Sequence, residues 1–167
     1  MEVIVADTSA LISLAISDIF KYSKLIYFKI PKEVYRELNL IKHYKDKDGN
    51  NAKRILKNLK AWNIEVLNVI EKQLFNNPLI DPGEAECLNL ALENNISKII
   101  TDDMKSIPGL NDLSENRVSI YTSILIPAIL YSAGVLSKKK VKQIIIQISK
   151  HRQWNDKLFR ESMEFLE

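Results

Sequence analysis

The fold is decided by the stretch that opens the chain, Glu2-Val-Ile-Val-Ala-Asp-Thr-Ser9. The residues from 2 to 6 are mostly β-branched and apolar, which is typical of a buried strand. Asp7 and the two residues after it have side chains that can begin a helix, and apolar residues recur over 11–15. This stretch therefore predicts a strand that ends at Asp7 and continues directly into a helix.

The same succession of strand and helix recurs along the chain. Extended segments are predicted up to Pro31, after a short helix that begins near Ile19, and over Ile64–Val69, Ile96–Thr101 and Val118–Tyr121. Apolar spacing predicts further helices over Pro31–Ile41, Ala52–Trp62, Ile70–Phe75, Asp81–Leu92, Ile124–Ser132, Lys138–Lys150 and Asp156–Leu166. The polar residues Lys45–Asn51, with Asp-Gly-Asn among them, predict a loop.

This alternation predicts an α/β domain with a mostly parallel central sheet. The 167 residues are enough for one domain with a sizeable core and short of two, so we place a single domain over 1–167. Ligands of such sheets bind beyond the carboxyl ends of the strands. Asp7 follows one predicted strand, and Asp102 and Asp103 follow another, so two strands bring carboxylates to the same edge.

Separate acidic positions along the chain predict a site for a divalent metal ion. They are Asp7, Glu37, Glu86 and the pair Asp102 and Asp103, with Glu84 as a further candidate. Carboxylates without histidine or cysteine beside them suit Mg²⁺ or Mn²⁺, and Mg²⁺ commonly takes phosphate as an additional ligand. Such a site predicts metal-assisted phosphodiester chemistry, in which a metal-activated water replaces a histidine base.

Helix capping is the alternative explanation for two of these acids. Asp7 stands where an N-cap is needed, although Ser9 could cap instead and leave Asp7 for a metal. Glu84 lies three residues after Asp81, which is the capping-box spacing, so its presence needs no metal. Glu86 lies in the first turns of the same helix and can still project toward the strand ends, so the sequence favours Glu86 over Glu84.

The remaining acids stay open at this stage. Glu37 shares a helix face with Glu33 and is either a ligand or an ordinary surface residue. One of Asp102 and Asp103 should face the crevice while the other caps the next helix, and the sequence does not decide between them.

Composition excludes several other kinds of site. Cys87 is the only cysteine, which rules out an intrachain disulfide and a multi-thiol metal site, and its helical context predicts a small buried residue. His43 and His151 are the only histidines, and both lie in basic stretches that we expect to be exposed, so neither is a convincing general base. The glycine-rich phosphate-binding motifs G-x-x-x-x-G-K-[ST] and G-x-G-x-x-G are both absent from the sequence.

The apolar segments are those of a cytoplasmic protein. The first meets an aspartate at position 7 and is therefore not a signal peptide, and Ile124–Leu136 is shorter than the roughly 20 residues that span a bilayer. Net charge is +3, with basic residues concentrated over 42–60 and 138–152. Such clusters can follow a phosphate backbone, and solvated helix faces are the alternative.

Four segments, taken in order, resemble the motifs of PIN domains. They are Val3-Ile-Val-Ala-Asp-Thr-Ser-Ala-Leu-Ile12, Ile30-Pro-Lys-Glu-Val-Tyr-Arg-Glu-Leu38, Gly83-Glu-Ala-Glu-Cys-Leu-Asn-Leu-Ala-Leu92 and Ile99-Ile-Thr-Asp-Asp103. The third is similar to the subgroup that has Gly-Glu-Ala-Glu-Ala, and the matching acids are Asp7, Glu37, Glu86 and Asp103. The resemblance covers about residues 1–150. One difference is that Met104-Lys-Ser-Ile-Pro-Gly109 stands where related sequences often have a segment ending in Ala-Arg.

The resemblance implies a three-layer α/β/α sandwich and a Mg²⁺- or Mn²⁺-dependent ribonuclease. Many small members are VapC-like toxins that form homodimers and are inhibited by a small antitoxin, so RNA, an antitoxin and a second copy are the expected partners. Two alternatives remain: a catalytically degenerate PIN module that binds RNA or a protein, and a structure-specific DNase or ribosomal RNA processing nuclease with the same site.

Overall fold

The computed structural model describes residues 1–71 and 77–166, and within them five strands form one sheet. The strands are β1 (Glu2–Ala6), β2 (Ile26–Pro31), β3 (Ile64–Leu67), β4 (Lys98–Ile100) and β5 (Ser119–Tyr121). All neighbouring pairs are parallel, in the order β3-β2-β1-β4-β5. The central strand β1 pairs Ile4 with Phe28 of β2 and Val5 with Ile99 of β4. The predicted α/β class with a parallel sheet is confirmed.

Helices cover both faces of this sheet. They are α1 (Thr8–Ile16), α2 (Lys32–Ile41), α3 (Lys47–Lys57), α4 (Pro82–Glu93), α5 (Ile107–Ser114), α6 (Leu125–Ser132), α7 (Lys138–Arg152) and α8 (Asp156–Glu161), with short 3-10 turns at Ile19–Lys21 and Glu164–Leu166. Helix α1 packs against α3 and α7, whereas α4 contacts β1, β2 and β4 and α5 contacts β5. Crossover connections between parallel strands are right-handed. The chain moves toward one edge of the sheet from β1 to β3 and toward the other edge from β3 to β5, so α1, α3 and α7 lie on one face and α4 and α5 on the other. This is the three-layer α/β/α sandwich.

The core lies on either side of the buried strands. Ile4, Phe28 and Ile99 are fully buried, and α7 adds the apolar face that its spacing predicted, Val141, Ile144, Ile145 and Ile148. At the edge of the core, the ring of Phe20 stacks on that of Trp62 with 4.4 Å between centroids. None of the helices within the described residues is long and apolar enough to cross a bilayer.

Several segments differ from the sequence-based prediction. The helix predicted over Ala52–Trp62 ends at Lys57, and the helix predicted over Asp156–Leu166 ends at Glu161, before a 3-10 turn at Glu164–Leu166. The predicted loop Lys45–Asn51 is wrong, because α3 begins at Lys47, where the Asp46 side chain accepts a hydrogen bond from the Gly49 N–H at 2.8 Å. Gly49 is required there, since a Cβ would lie 2.0 Å from the Tyr44 carbonyl oxygen. Helix α5 had no predicted counterpart of its own. The predicted helix Ile70–Phe75 lies mostly outside the described residues.

Strand order places the carboxyl ends of β1 and β4 at the point where a ligand site is expected. From β1 the chain proceeds outward to β2 and β3, and after β3 it returns to the other side of β1 to form β4. The two strand ends are joined directly, since the Asp7 N–H donates to the Ile100 carbonyl at 3.0 Å. In open parallel sheets such a switch in strand order leaves a crevice at the carboxyl ends of the strands.

Candidate functional site

Asp7 lies in this crevice and is held by one of its two carboxylate oxygens. Its Oδ2 accepts hydrogen bonds from the Ser9 N–H at 3.2 Å, the Ser9 Oγ at 2.7 Å and the Thr101 Oγ1 at 3.1 Å. Asp7 is therefore the N-cap of α1, and the alternative in which Ser9 caps the helix is wrong. None of these three bonds uses Oδ1, so capping does not prevent the buried carboxylate from taking a second role.

Glu37 reaches the same crevice from α2. The Thr8 hydroxyl donates a hydrogen bond to its Oε2. Gly83 near the start of α4 lies against the carboxylate, since a Cβ there would be only 2.5 Å from Glu37 Oε1. Burial raises the pKa of Glu37 to about 7; the Thr8 hydrogen bond opposes this shift, and the negative charges of Asp7 and Asp81 add to it.

Glu84 joins Asp7 from the first turn of α4 while it also caps that helix. The capping box is confirmed: Glu84 N–H donates to Asp81 Oδ1 at 2.8 Å, and Asp81 N–H donates to Glu84 Oε2 at 3.1 Å. The other oxygen, Oε1, accepts a hydrogen bond from Ser106 Oγ at 2.5 Å. Burial, assisted by the charges of Asp7 and Asp81, raises the pKa of Glu84 to about 7.

Together, Asp7, Glu37, Asp81 and Glu84 form what we call the acidic cluster. Burial also raises the pKa of Asp7, and the nearby Asp81 adds to the effect. Within the described parts of the chain, no lysine or arginine forms an ion pair with any of the four. Within the described residues, three parts of the fold thus bring the buried Asp7 and Glu84 and the half-buried Glu37 together without a protein cation that pairs with them. Asp81 was missed as a site residue because its capping role accounted for it.

The other predicted ligands have different partners. Glu86 Oε2 accepts a hydrogen bond from the Glu33 N–H, at the start of α2, at 3.2 Å. Glu86 lies two residues after Glu84 on α4, and side chains at that spacing point to different faces of a helix. The Asp102 side chain has no solvent exposure and accepts bonds from Ser123 N–H and Ser123 Oγ, both at 2.8 Å. The geometry therefore favours Glu84 over Glu86 as the partner of Asp7, which reverses the preference drawn from the sequence.

Asp103 stands at the exposed edge of the crevice. Its N–H donates to Thr101 Oγ1 at 3.1 Å, the same hydroxyl that donates to Asp7. Its carboxylate Oδ1 accepts the Lys105 N–H at 2.9 Å and so begins the turn that leads into α5. Asp103 is thus close to the cluster through its backbone, with a side chain that lies open to water.

The residues suited to nucleophilic or base catalysis are elsewhere or inactive. Cys87 is buried as predicted, and burial together with the neighbouring carboxylates raises the pKa of its thiol well above its usual value. His43 is exposed, whereas His151 is less exposed than predicted, with Nε2 2.9 Å from Asp48 Oδ1. The carboxylates are the chemically distinctive groups of the crevice.

The donor set fits a hard divalent cation. Among the described residues, no three His, Cys, Asp or Glu side chains are already arranged as a metal-binding group. The cluster nevertheless offers only oxygen donors, from carboxylates whose mutual repulsion a cation would relieve, which is the ligand chemistry of Mg²⁺ and Mn²⁺. The raised pKa values of Glu37 and Glu84 are the expected property of ligands in the absence of their ion.

Comparison with known families agrees with the fold. The family model DUF3368, described as a PIN domain, matches residues 3–163. The chain belongs to this PIN-domain family. Neither a curated protein nor a solved structure matches the chain.

PIN domains are generally nucleases that act on nucleic acid and use divalent metal ions. Membership in the family and the oxygen-rich crevice at the carboxyl ends of β1 and β4 are therefore consistent with each other. In this PIN domain, the acids that meet in the crevice come from the β1 end, from α2 and from the first turn of α4.

Proposed function

We propose that this PIN domain is a metal-dependent endoribonuclease in which Asp7, Glu37 and Glu84 hold Mg²⁺ or Mn²⁺. The observation that carries the proposal is the convergence of the buried Asp7 and Glu84 with the half-buried Glu37, from separate parts of the fold, without an ion-paired lysine or arginine among the described residues. Asp103 is the candidate for a further ligand, because it stands at the open side of the crevice. Asp81 contributes negative charge from the start of α4.

Each side chain has a distinct task in this site. Ser9 and Thr101 orient Asp7, Thr8 orients Glu37, and Ser106 orients Glu84, so hydroxyl donors hold the carboxylates before any ion arrives. When bound, a divalent ion supplies a water of lowered pKa and offsets charge on the phosphoryl oxygens. Asp7 and Glu84 are buried, which strengthens the electrostatic interactions that they make.

Basic residues that line a cleft at the C-terminal end of α1 suit an RNA substrate. The two basic stretches of the sequence meet at a cleft of about 550 Å³, to which α3 contributes Lys47 and α7 contributes Lys150. Neither lysine forms an ion pair within the described residues, so both ammonium groups are available to phosphate.

We also propose that the enzyme is the toxin of a toxin–antitoxin pair, acting in the cytoplasm as a homodimer and inhibited by a small antitoxin protein. The support for this narrower assignment is the similarity of its four motifs to those of small VapC-like proteins. A small antitoxin-like gene directly upstream would favour it, whereas its absence would favour a processing nuclease.

A PIN module that binds RNA or a protein without cleaving is the second candidate. One observation favours it: within the described residues, the acids are not already arranged as a metal-binding group. The experiment that separates the two is cleavage of defined RNA and DNA oligonucleotides with Mg²⁺, with Mn²⁺ and with EDTA.

We expect wild-type protein to cleave RNA with either ion and not with EDTA, and Asp7→Asn to lose nearly all activity while it stays folded. Asparagine keeps the acceptor that caps α1, so circular dichroism should show an intact fold. Glu86→Gln is the matched control, because Glu86 bonds the start of α2, and it should cleave at the wild-type rate. An Asp7→Asn variant that cleaves as fast as wild type would contradict the proposal.

A further inference from the structure

Ser9 connects Asp7 to a second group of polar side chains. Its Oγ donates to Asp7 Oδ2 at 2.7 Å and accepts the Asp102 N–H at 2.9 Å. Its carbonyl oxygen accepts two bonds, one from Arg152 Nη2 and one from Ser13 Oγ at 3.1 Å. The position of Ser9 therefore determines where the carboxylate of Asp7 is held.

Arg152 reaches Ser9 from the last residue of α7. Its Nε donates to Ser13 Oγ at 2.7 Å, one turn along α1 from Ser9, while its Nη2 binds the Ser9 carbonyl. The side chain is only 19% exposed, which makes the planar guanidinium a rigid support for the first turns of α1.

The same guanidinium balances the buried Asp102. Arg152 Nε lies 3.8 Å from Asp102 Oδ2, which is an ion-pair distance. The N–H and the Oγ of Ser123 donate hydrogen bonds to the same carboxylate. Asp102 lies two residues after the end of β4, so without this cation its charge would add to the repulsion in the neighbouring acidic cluster.

We propose that Arg152 is a positioning residue for the metal site, one that fixes Asp7 through Ser9 and neutralises Asp102. The proposal rests on the metal-dependent function proposed above. Arg152 itself touches neither Asp7 nor the other members of the acidic cluster among its described contacts, and it acts only through Ser9 and Asp102. Side chains that orient a metal ligand in this way commonly change metal affinity by roughly 10- to 100-fold when they are removed.

Arg54 provides an internal comparison at the other end of α1. It donates to the Ala15 carbonyl at 3.1 Å and to Asp18 Oδ1 at 2.5 Å, so it too joins a carbonyl of α1 to a carboxylate. Neither of those groups contacts Asp7. Loss of either arginine should destabilise the fold, and loss of Arg54 should leave the metal site unchanged.

The test is titration of metal-free protein with Mg²⁺ and with Mn²⁺ by calorimetry, with thermal unfolding measured on each sample. We expect Arg152→Met to bind roughly 10- to 100-fold more weakly than wild type, and Arg54→Met to bind within about twofold of wild type. Ser9→Ala should weaken binding to a similar extent as Arg152→Met. Arg152→Lys should recover part of the affinity, because it retains the charge beside Asp102 and loses the fork that binds α1.

The outcomes are distinguishable. Wild-type affinity in a folded Arg152→Met protein, or equal losses in the Arg152→Met and Arg54→Met variants, would overturn the positioning role and leave the proposed function standing. Should Arg152→Met not fold, Ser9→Ala and Arg152→Lys make the same test. If the wild-type protein takes up neither ion, both the proposed function and this inference fail.

Discussion

Replacing Glu84 by glutamine should stabilise the metal-free protein above neutral pH. Glutamine can keep both interactions of the side chain, since its oxygen can accept the Asp81 N–H and its amide can donate to Ser106 Oγ. It cannot carry the negative charge that Asp7 and Asp81 oppose. The substitution therefore removes repulsion in the acidic cluster and leaves the start of α4 capped.

The size of the effect follows from the pKa of Glu84. That pKa is about 7 in the folded protein, against a reference value of 4.5. At about 1.36 kcal/mol for each pKa unit, the difference corresponds to about 3 kcal/mol of unfolding free energy. Exchange of charge-assisted hydrogen bonds for neutral ones offsets about 1 kcal/mol, so we expect a gain of about 2 kcal/mol at pH 8.

The sign of the pH dependence is fixed by the direction of the shift. A carboxyl group whose pKa is raised on folding stabilises the native state fully below its unfolded pKa, and this stabilisation is lost as pH rises through the folded value. Wild-type protein should therefore lose stability between about pH 4.5 and pH 7 relative to Glu84→Gln. The two proteins should be similar at pH 4.5, where Glu84 is protonated in both states for much of the time.

The assay is urea unfolding in EDTA at pH 4.5, 6, 7 and 8, with Glu86→Gln as the control. Glu86 bonds the Glu33 N–H, so its replacement should not stabilise the protein at pH 8. Mg²⁺ should then reverse the order, because a hundredfold excess over the dissociation constant adds about 2.7 kcal/mol to wild type, more than the expected gain of the variant, and much less to Glu84→Gln. A Glu84→Gln protein that is less stable than wild type at pH 8 in EDTA would refute the reasoning.

Two further predictions concern glycine and proton release. Gly83→Ala should weaken Mg²⁺ binding by about tenfold or more, because its Cβ would displace the Glu37 carboxylate, and should lower the unfolding free energy by less than about 1 kcal/mol. Gly49→Ala should lower the unfolding free energy by about 3 kcal/mol, since its Cβ would meet backbone atoms, and should leave the Mg²⁺ affinity unchanged. Calorimetry and urea unfolding of both variants check this, and equal affinities would contradict it. Mg²⁺ affinity should also rise about 10- to 100-fold from pH 6 to pH 8, as ions displace protons from Glu37 and Glu84, and a flat profile would argue against these ligands.

The strands and most helices could be predicted from local pattern alone. Segment Glu2–Ala6 is a strand with the predicted bounds, and the apolar face of α7 is buried as its spacing indicates. The prediction of these elements is correct because burial against the sheet decides their conformation, and the spacing of apolar residues reports that burial directly. The exceptions depend on contacts that no local pattern contains.

Helices α3 and α5 are those exceptions. In α3, Gly49 has the local sequence of a turn, yet it lies in the first turn of the helix. A glycine stands there because only a residue without Cβ fits against the Tyr44 carbonyl. In α5, Pro108 and Gly109 are both poor helix formers, and a Cβ at 109 would lie 2.6 Å from Asn77 Nδ2. Both glycines are explained by the close approach of another group, the Tyr44 carbonyl at Gly49 and the Asn77 side chain at Gly109, and this overrides helix propensity.

The choice between Glu84 and Glu86 shows why the site was harder to predict than the fold. In the sequence, capping and metal binding are alternative roles for Asp7 and Glu84, but a carboxylate has two oxygens and can do both. Glu84 uses Oε2 for the cap and directs Oε1 to Ser106, and Asp7 uses Oδ2 for its three bonds. Capping fixes the helix start and the rotamer of the acid at once, so a carboxylate at such a position is already oriented before any cation binds. A cap next to a parallel-strand end therefore strengthens the case for a ligand there.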